Sequence, residues 1–187
     1  MGRRREPDLA RLRRLRACLL GGALAVVSGL AFPLDAAQGF SRCVRSLGST
    51  SWRFALTGST RVADRWKAVT ETHVRVDERI ERLGYLEDPF ELLGRARAVA
   101  LLSDLGFGFK TKILDAIESG CWVLTTRRLR RRLPEEVRPW CLEVDPDCGH
   151  SFRAALDRAL QPVPGGQPNA ELRKRAFQVL DDVMAGP

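Results

Sequence analysis

Between Leu102 and Leu124 the chain reads LSDLGFGFKTKILDAIESGCWVL, and this stretch constrains the fold more than any other. An apolar strand end runs into a glycine-rich turn, the turn into a helix, and the helix, stopped at Gly120, into a second apolar strand. Gly106 and Gly108 carry no β-carbon, so the backbone there can approach a ligand closely. Lys110 and Lys112 follow at the start of the helix, and Asp115 stands one turn on. Cations at a helix N-terminus oppose the helix dipole and so invite an anion. Open backbone amides beside two lysines form a general anion site, which suits a diphosphate. A carboxylate deeper in the helix would repel phosphate but can accept a ribose hydroxyl. The plainer reading is a tight strand-to-helix turn with solvated lysines and a surface aspartate.

The same alternation recurs along the chain. Ala17–Thr57 reads as one β-loop-α-β unit, with CLLGG (Cys18–Gly22) ending its first strand, helix-like apolar spacing over Pro33–Leu47, and a strand at Trp52–Thr57. A helical segment near Arg61–Lys67 and a short strand at Ile80–Leu83 come next. Asp88 sits as an N-cap and Pro89 at the first helical place of a helix to Arg97, followed by the strand Ala98–Leu102. The helix Lys110–Ser119 leads to a strand at Cys121–Thr125, a charged helical piece Arg128–Val137 interrupted by Pro134, and a last strand at Cys141–Val144. Ser151–Leu160 is a helix with Phe152, Leu156 and Leu160 along one face, and a linker, Gln161–Pro168, precedes a terminal amphipathic helix over Ala170–Met184. Strands that are apolar throughout and separated by helices predict an α/β fold: a doubly wound, mainly parallel Rossmann-like sheet with helices on both faces. Ligands of such sheets bind at the carboxyl ends of the strands. The expected division is a basic N-terminal segment at 1–16, a Rossmann-like domain at 17–160, and a linker and C-terminal helix at 161–187.

A chain of 187 residues has room for one domain, or one and a small appendage. Its net charge of +8 comes almost wholly from arginine, since the lysines are only Lys67, Lys110, Lys112 and Lys174. That charge bears on solubility and acidic partners rather than on fold, and nucleic acid is not expected as a partner. Much of the excess lies in residues 2–16, GRRREPDLARLRRLR, a short amphipathic helix pattern that is a candidate contact for a membrane surface. The apolar run Ala17–Phe32 admits two readings, strand and loop or a signal or anchor segment. It is short for a bilayer span and is broken by Gly21, Gly22 and Gly29. Five cysteines (Cys18, Cys43, Cys121, Cys141, Cys148) form no CxxC pair, and those in apolar runs read as small buried hydrophobes in a reduced, cytoplasmic setting. With only His73 and His150, a zinc site is not expected. Arg127–Arg132 reads as a solvated helix face, and Trp122, Trp140 and Phe152 as core.

The ordered set of motifs resembles the donor-binding domain of GT-B glycosyltransferases of the retaining "group 1" family. Gly106-Phe107-Gly108-Phe109-Lys110-Thr111-Lys112-Ile113-Leu114-Asp115-Ala116, then Gly120 and an apolar strand, is similar to that family's donor signature. Gly84-Tyr85-Leu86-Glu87-Asp88 resembles the turn that precedes the donor site, and CLLGG stands where the family has a strand ending in two glycines. The resemblance implies a metal-independent transferase that needs no cofactor and uses a nucleotide-diphosphate sugar as co-substrate. It places Lys110 as the catalytic cation against the leaving diphosphate and the backbone of Gly106, Phe107, Gly108 and Phe109 around the pyrophosphate. Lys112 and Gly22 belong to the same donor site, Asp115 lies at the ribose, and the main chain of Tyr85 and Leu86 edges the base. The family pattern carries a glutamate where Phe107 stands. The chain is about the size of the C-terminal half of such an enzyme, which implies an acceptor-binding partner chain. The alternative is a non-catalytic interaction protein that keeps the fold without the chemistry.

Overall fold

Among the described residues six strands form, the inner ones from short apolar runs: β1 (Leu24–Ser28), β2 (Arg53–Thr57), β3 (Ile80–Gly84), β4 (Ala98–Leu101), β5 (Trp122–Thr126) and β6 (Cys141–Val144). The computed structural model describes residues 24–28, 40, 43–57, 77–84, 86, 88–102 and 111–185. All strand pairings are parallel, in the order β3-β2-β1-β4-β5-β6. The order reverses direction between β1 and β4, where Ala25, Val26 and Val27 pair with Ala98, Val99 and Ala100. This is the doubly wound topology the sequence predicts.

A parallel sheet buries both faces, and two apolar layers do this here. On one face, helical backbone at 43–46 and helix α4 (Gly149–Ala159) pack Phe40, Val44, Phe152 and Leu156 against Ala25, Phe54, Ala98 and Ala100. Phe40 meets Phe54 and Phe152 edge-on, with ring centroids 5.7 Å and 6.0 Å apart. The other face is covered by α1 (Phe90–Leu93), α2 (Lys112–Glu118) and α3 (Arg127–Arg131), through Leu92, Leu93, Ile113, Ala116, Ile117 and Leu129. Helix α5 (Pro168–Ala185) docks its first turns on this side: Leu172 packs on the apolar layer, and Asn169 Nδ2 donates to Leu114 O and Glu118 Oε2, each at 3.0 Å.

Several expectations need correction. The first described strand is LAVVS, and the expected strand ending in CLLGG lies outside the described residues; β-branched Val26 and Val27 favour the extended backbone. Glycine Gly29, and not Gly22, therefore follows the carboxyl end of β1 in the chain. Pro89, and not Asp88, is the N-cap of α1: Asp88 stands one residue before it and its Oδ1 accepts from Phe90 N at 2.9 Å, and the helix ends at Leu93, before Gly94, without reaching Arg97. The piece expected over Arg128–Val137 is α3, a break before Pro134, and a 3-10 turn at Arg138–Trp140. Leu160 is 49% exposed, and Ala159 takes the buried place on α4. Gly120 stops α2 as expected, at φ +75°. At Gly149 the close approach is steric: a β-carbon there would lie 2.0 Å from Ser46 Oγ, so only glycine lets α4 start against 43–46. The expected helix near Arg61–Lys67 and the basic segment 1–16 lie outside the described residues.

The amino-terminal edge of the sheet is tied by one guanidinium. Arg79 donates through Nε to Asp77 Oδ1 at 2.8 Å and through Nη2 to Asp77 Oδ2 at 2.6 Å. It also donates to Val44 O at 2.8 Å, which accepts from Leu47 N as well, and to Gly48 O at 2.7 Å, where the 43–46 helix ends. Its hydrogen bond to Asp77 holds that carboxyl below the ordinary value of 3.8, against the opposing effect of burial. A carboxyl depressed in the fold contributes stability that is present above its unfolded pKa and is lost as pH falls through the folded value. Arg79→Ala is expected to lower unfolding free energy by about 2–3 kcal/mol at pH 7. In urea melts, the gap between the parent chain and Asp77→Asn should narrow from pH 6 to pH 3.

Cys43, Cys121 and Cys141 are buried, and Cys148 is exposed. Burial pushes the Cys121 thiol up to about 11 and that of Cys141 up to about 12. Cys121 Sγ donates to Leu93 O at 3.2 Å and Cys141 Sγ to Val137 O at 3.4 Å. Thiols of this kind are inert hydrophobes. Iodoacetamide at pH 8 should modify Cys148 in the native chain, and Cys43, Cys121 and Cys141 only after denaturant is added, as read by peptide mass spectrometry.

Candidate functional site

Chain connectivity puts the glycine-lysine segment at the carboxyl edge of the sheet. Strand β4 ends at Leu101, and α2 begins at Lys112, so residues 103–110 join the carboxyl end of β4 to the start of α2. Strand β4 is one of the two at which the order reverses, the place where doubly wound sheets open a crevice. Gly106, Phe107, Gly108, Phe109 and Lys110 themselves lie outside the described residues, as do Tyr85 and Gly22.

Three of the sequence-predicted residues are described. Lys112 is the first residue of α2 and Asp115 lies in its first turn, both half-buried. At a spacing of three they share one face of the helix, with Ile113, Ala116 and Ile117 turned into the core. The core contacts of those three apolar residues thus fix how α2 presents Lys112 and Asp115. Backbone Thr111 O accepts from Leu114 N at 2.8 Å and closes the first turn. Leu86 follows the carboxyl end of β3 and packs on the apolar layer of the α2 side. Strand β3 stands three strand intervals from β4, roughly 14 Å at the usual spacing. Leu86 and the start of α2 therefore lie along one edge but some distance apart, a span that accommodates an extended ligand.

The carboxyl edge also holds features that the motif reading missed. The pairing of β2 with β3 shifts register between Leu56 and Thr57, so that Thr57 lies opposite Gly84. Such bulges re-aim the chain at strand ends. Thr125 and Thr126 end β5 as fully or almost fully buried polar residues. Thr126 Oγ1 accepts from Leu129 N at 3.1 Å and caps α3. Thr125 Oγ1 has no partner among the described residues, and strand alternation puts it on the side of Cys121 and Val123, facing α2. Buried hydroxyls without partners are uncommon, and this one lies at the carboxyl edge of the sheet. The pair of threonines closing an otherwise apolar strand was the available signal.

Arginines dominate the outer face of α3, which leaves β5 at the same edge. Arg127, Arg128, Arg131 and Arg132 are exposed, while Arg130 Nε donates to Cys141 O at 3.2 Å. A cavity of about 430 Å³, lined by Trp140, Val163, Gln167, Asn169 and Arg173, opens at the opposite, amino-terminal side, next to Gly120. Among the described residues no group of three or more His, Cys, Asp and Glu side chains could hold a metal ion, and no helix is long and apolar enough to cross a membrane.

Known proteins carry the same architecture. HepE of Anabaena, solved with UDP and glucose, superposes with a TM-score of 0.61 at 13% identity, over 84% of this chain and 44% of that one. A UDP-forming α,α-trehalose-phosphate synthase from Burkholderia vietnamiensis gives 0.62 at 18% identity, over 97% and 47%. A glycosyltransferase from Rickettsia africae gives 0.62 at 10% identity, over 82% and 42%. The chain thus spans less than half the length of each of these three proteins. A search among curated protein sequences finds no match. The model of the family described as "Glycosyl transferases group 1" matches residues 21–161, most of the chain. The chain belongs to the group 1 glycosyl transferase family.

Proposed function

We propose that the chain binds a nucleotide-diphosphate sugar at the carboxyl edge of its sheet and serves as the donor half of a glycosyltransferase. The observation that carries this reading is the position of the 103–110 segment, directly after β4 at the reversal of strand order and directly before α2. A leaving nucleoside diphosphate gains negative charge as the glycosidic bond breaks. Lys110, Lys112 and the amides of Gly106 to Phe109 would receive that charge, and no metal need supply it. Asp115 would accept ribose hydroxyls, and the main chain at Tyr85 and Leu86 would border the base. HepE was solved with UDP and glucose, and the Burkholderia synthase is UDP-forming, which makes uridine diphosphate the first nucleotide to try. Phe107, standing where the family pattern has a glutamate, favours a second reading in which donor binding persists without transfer.

Calorimetric titration with UDP, UDP-glucose, GDP and GDP-mannose is expected to show saturable binding of at least one nucleotide pair. Lys110→Ala should weaken it about tenfold, near 1.4 kcal/mol. Asp115→Asn should weaken the nucleotides while leaving inorganic pyrophosphate unchanged, which separates ribose from phosphate recognition. Absence of binding across the panel, or a Lys110→Ala chain that binds as the parent does, would sink the proposal.

A further inference from the structure

Helix α2 is seven residues long, too short to hold its own shape in water, so its neighbours fix it. At 100° per residue its side chains fall on three faces about 120° apart. Ile113, Ala116 and Ile117 face the core, and Lys112 and Asp115 form the proposed ligand face. Leu114 and Glu118, one turn apart, form the third face, and α5 reaches it. Asn169, in the first turn of α5, donates through Nδ2 to Leu114 O and to Glu118 Oε2, each at 3.0 Å. One amide thus staples a carbonyl of α2 to a carboxylate four residues further along the same helix.

Two features set this contact apart from ordinary helix docking. Both neighbours of Nδ2 are acceptors, so the amide can stand only one way round. In that orientation Asn169 Oδ1 is buried and has no partner among the described residues. A buried carbonyl without a partner lowers stability, and α5 does not need it in order to dock. Pro168 is buried, Leu172 packs on the apolar layer, and Arg175 Nη1 donates to Glu136 Oε1 at 2.7 Å. The second feature is the carbonyl that Asn169 holds. Leu114 O belongs to the planar peptide unit that carries the backbone nitrogen of Asp115. Fixing that oxygen fixes the plane from which the Asp115 side chain departs.

We propose that Asn169 is a positioning residue for the nucleotide: by holding the Leu114–Asp115 peptide plane it sets the rotation of α2, and with it the reach of the Asp115 carboxylate. This rests on the donor-binding reading above and adds to it a residue more than fifty positions further along the chain. Asp115 has a short side chain that cannot follow a turn of the helix, whereas the four-carbon stem of Lys112 can. The glycine-rich segment precedes α2 and does not depend on its rotation. Loss of the staple therefore falls on the ribose contact and spares the phosphates.

Two measurements on the full chain test this. Amide hydrogen exchange without ligand, read by mass spectrometry, should quicken over 112–118 in Asn169→Ala and stay as in the parent across β5 and β6. In calorimetric titration, Asn169→Ala should bind the nucleoside diphosphate taken by the parent, UDP or GDP, about fivefold more weakly, and inorganic pyrophosphate as tightly. In an Asp115→Asn background the same change should weaken that nucleotide no further, because the carboxylate it positions is gone. Asn169→Asp sets a second carboxylate beside Glu118 and should weaken the nucleotide more than Asn169→Ala does. Adding Glu118→Gln supplies a donor to that carboxylate and should recover part of the loss. Unchanged exchange over 112–118 overturns the staple, whether or not a nucleotide binds. Losses that add in the double variant, or that fall equally on nucleotide and pyrophosphate, make the role of Asn169 structural and overturn the proposal while the donor reading stands. A parent chain that binds neither nucleotide overturns the donor reading and the ribose role with it.

Discussion

The pairing of β1 with β4 is what the rest of the structure hangs on. Strands β2 and β3 extend the sheet from one side of it, and β5 and β6 from the other. The ladder is built from small residues: Ala25 lies opposite Ala98, and Val27 opposite Ala100. Ala25, Ala98 and Ala100 leave room above the middle of the sheet for the triangle of Phe40, Phe54 and Phe152, whose rings fill it. A larger side chain at any of these alanines would have to displace an aromatic ring in a layer packed to crystal-like density. The same seam defines the reversal of strand order and hence where a ligand can enter. Core packing and the reversal of strand order therefore rest on one set of alanines.

The two edges of the sheet are built differently. At the amino edge, Arg79 ties β3 to the end of the 43–46 helix, and Trp122 Nε1 donates to Gln161 O at 2.9 Å, binding β5 to the chain that leaves α4. Cys121 Sγ adds contacts to Leu93 O and Ala96 O, where the chain turns from α1 into β4. At the carboxyl edge stand the register shift at Thr57, the buried Thr125 hydroxyl, which has no partner among the described residues, and the arginine face of α3. In doubly wound sheets the binding loops leave this edge.

The architecture was legible in the sequence because short continuous apolar runs such as Ala98–Leu101 and Trp122–Leu124, bounded by helical patterns, are those of strands buried on both faces. Gly120 was readable for a local reason, a left-handed stop, while the helix start was read one residue early, since Pro89 and not Asp88 takes the N-cap. The first strand was misplaced because an apolar run from Ala17 to Phe32 offers several five-residue windows, and the choice among them is made by long-range pairing with Arg53–Thr57. Leu160 followed the helical period but fell past the last turn that the sheet covers. Of the candidate site, Lys112 and Asp115 could be foreseen from their spacing on one helix. Thr125 could not, because its isolation depends on neighbours brought in by β4, β6 and α2.

The contact at Gly149 has a consequence for how such a chain can change over time. Because a β-carbon at position 149 would collide with Ser46, any other residue there would push apart the two helices on that face. Insertions and substitutions that alter ligand preference are therefore channelled into the connections leaving the strand tips. The Gly149–Ser46 junction acts as a fixed reference against which new loops can be tried without resetting the sheet. Diversification of specificity in this scaffold should accordingly look like loop replacement above an unchanged pair of helices.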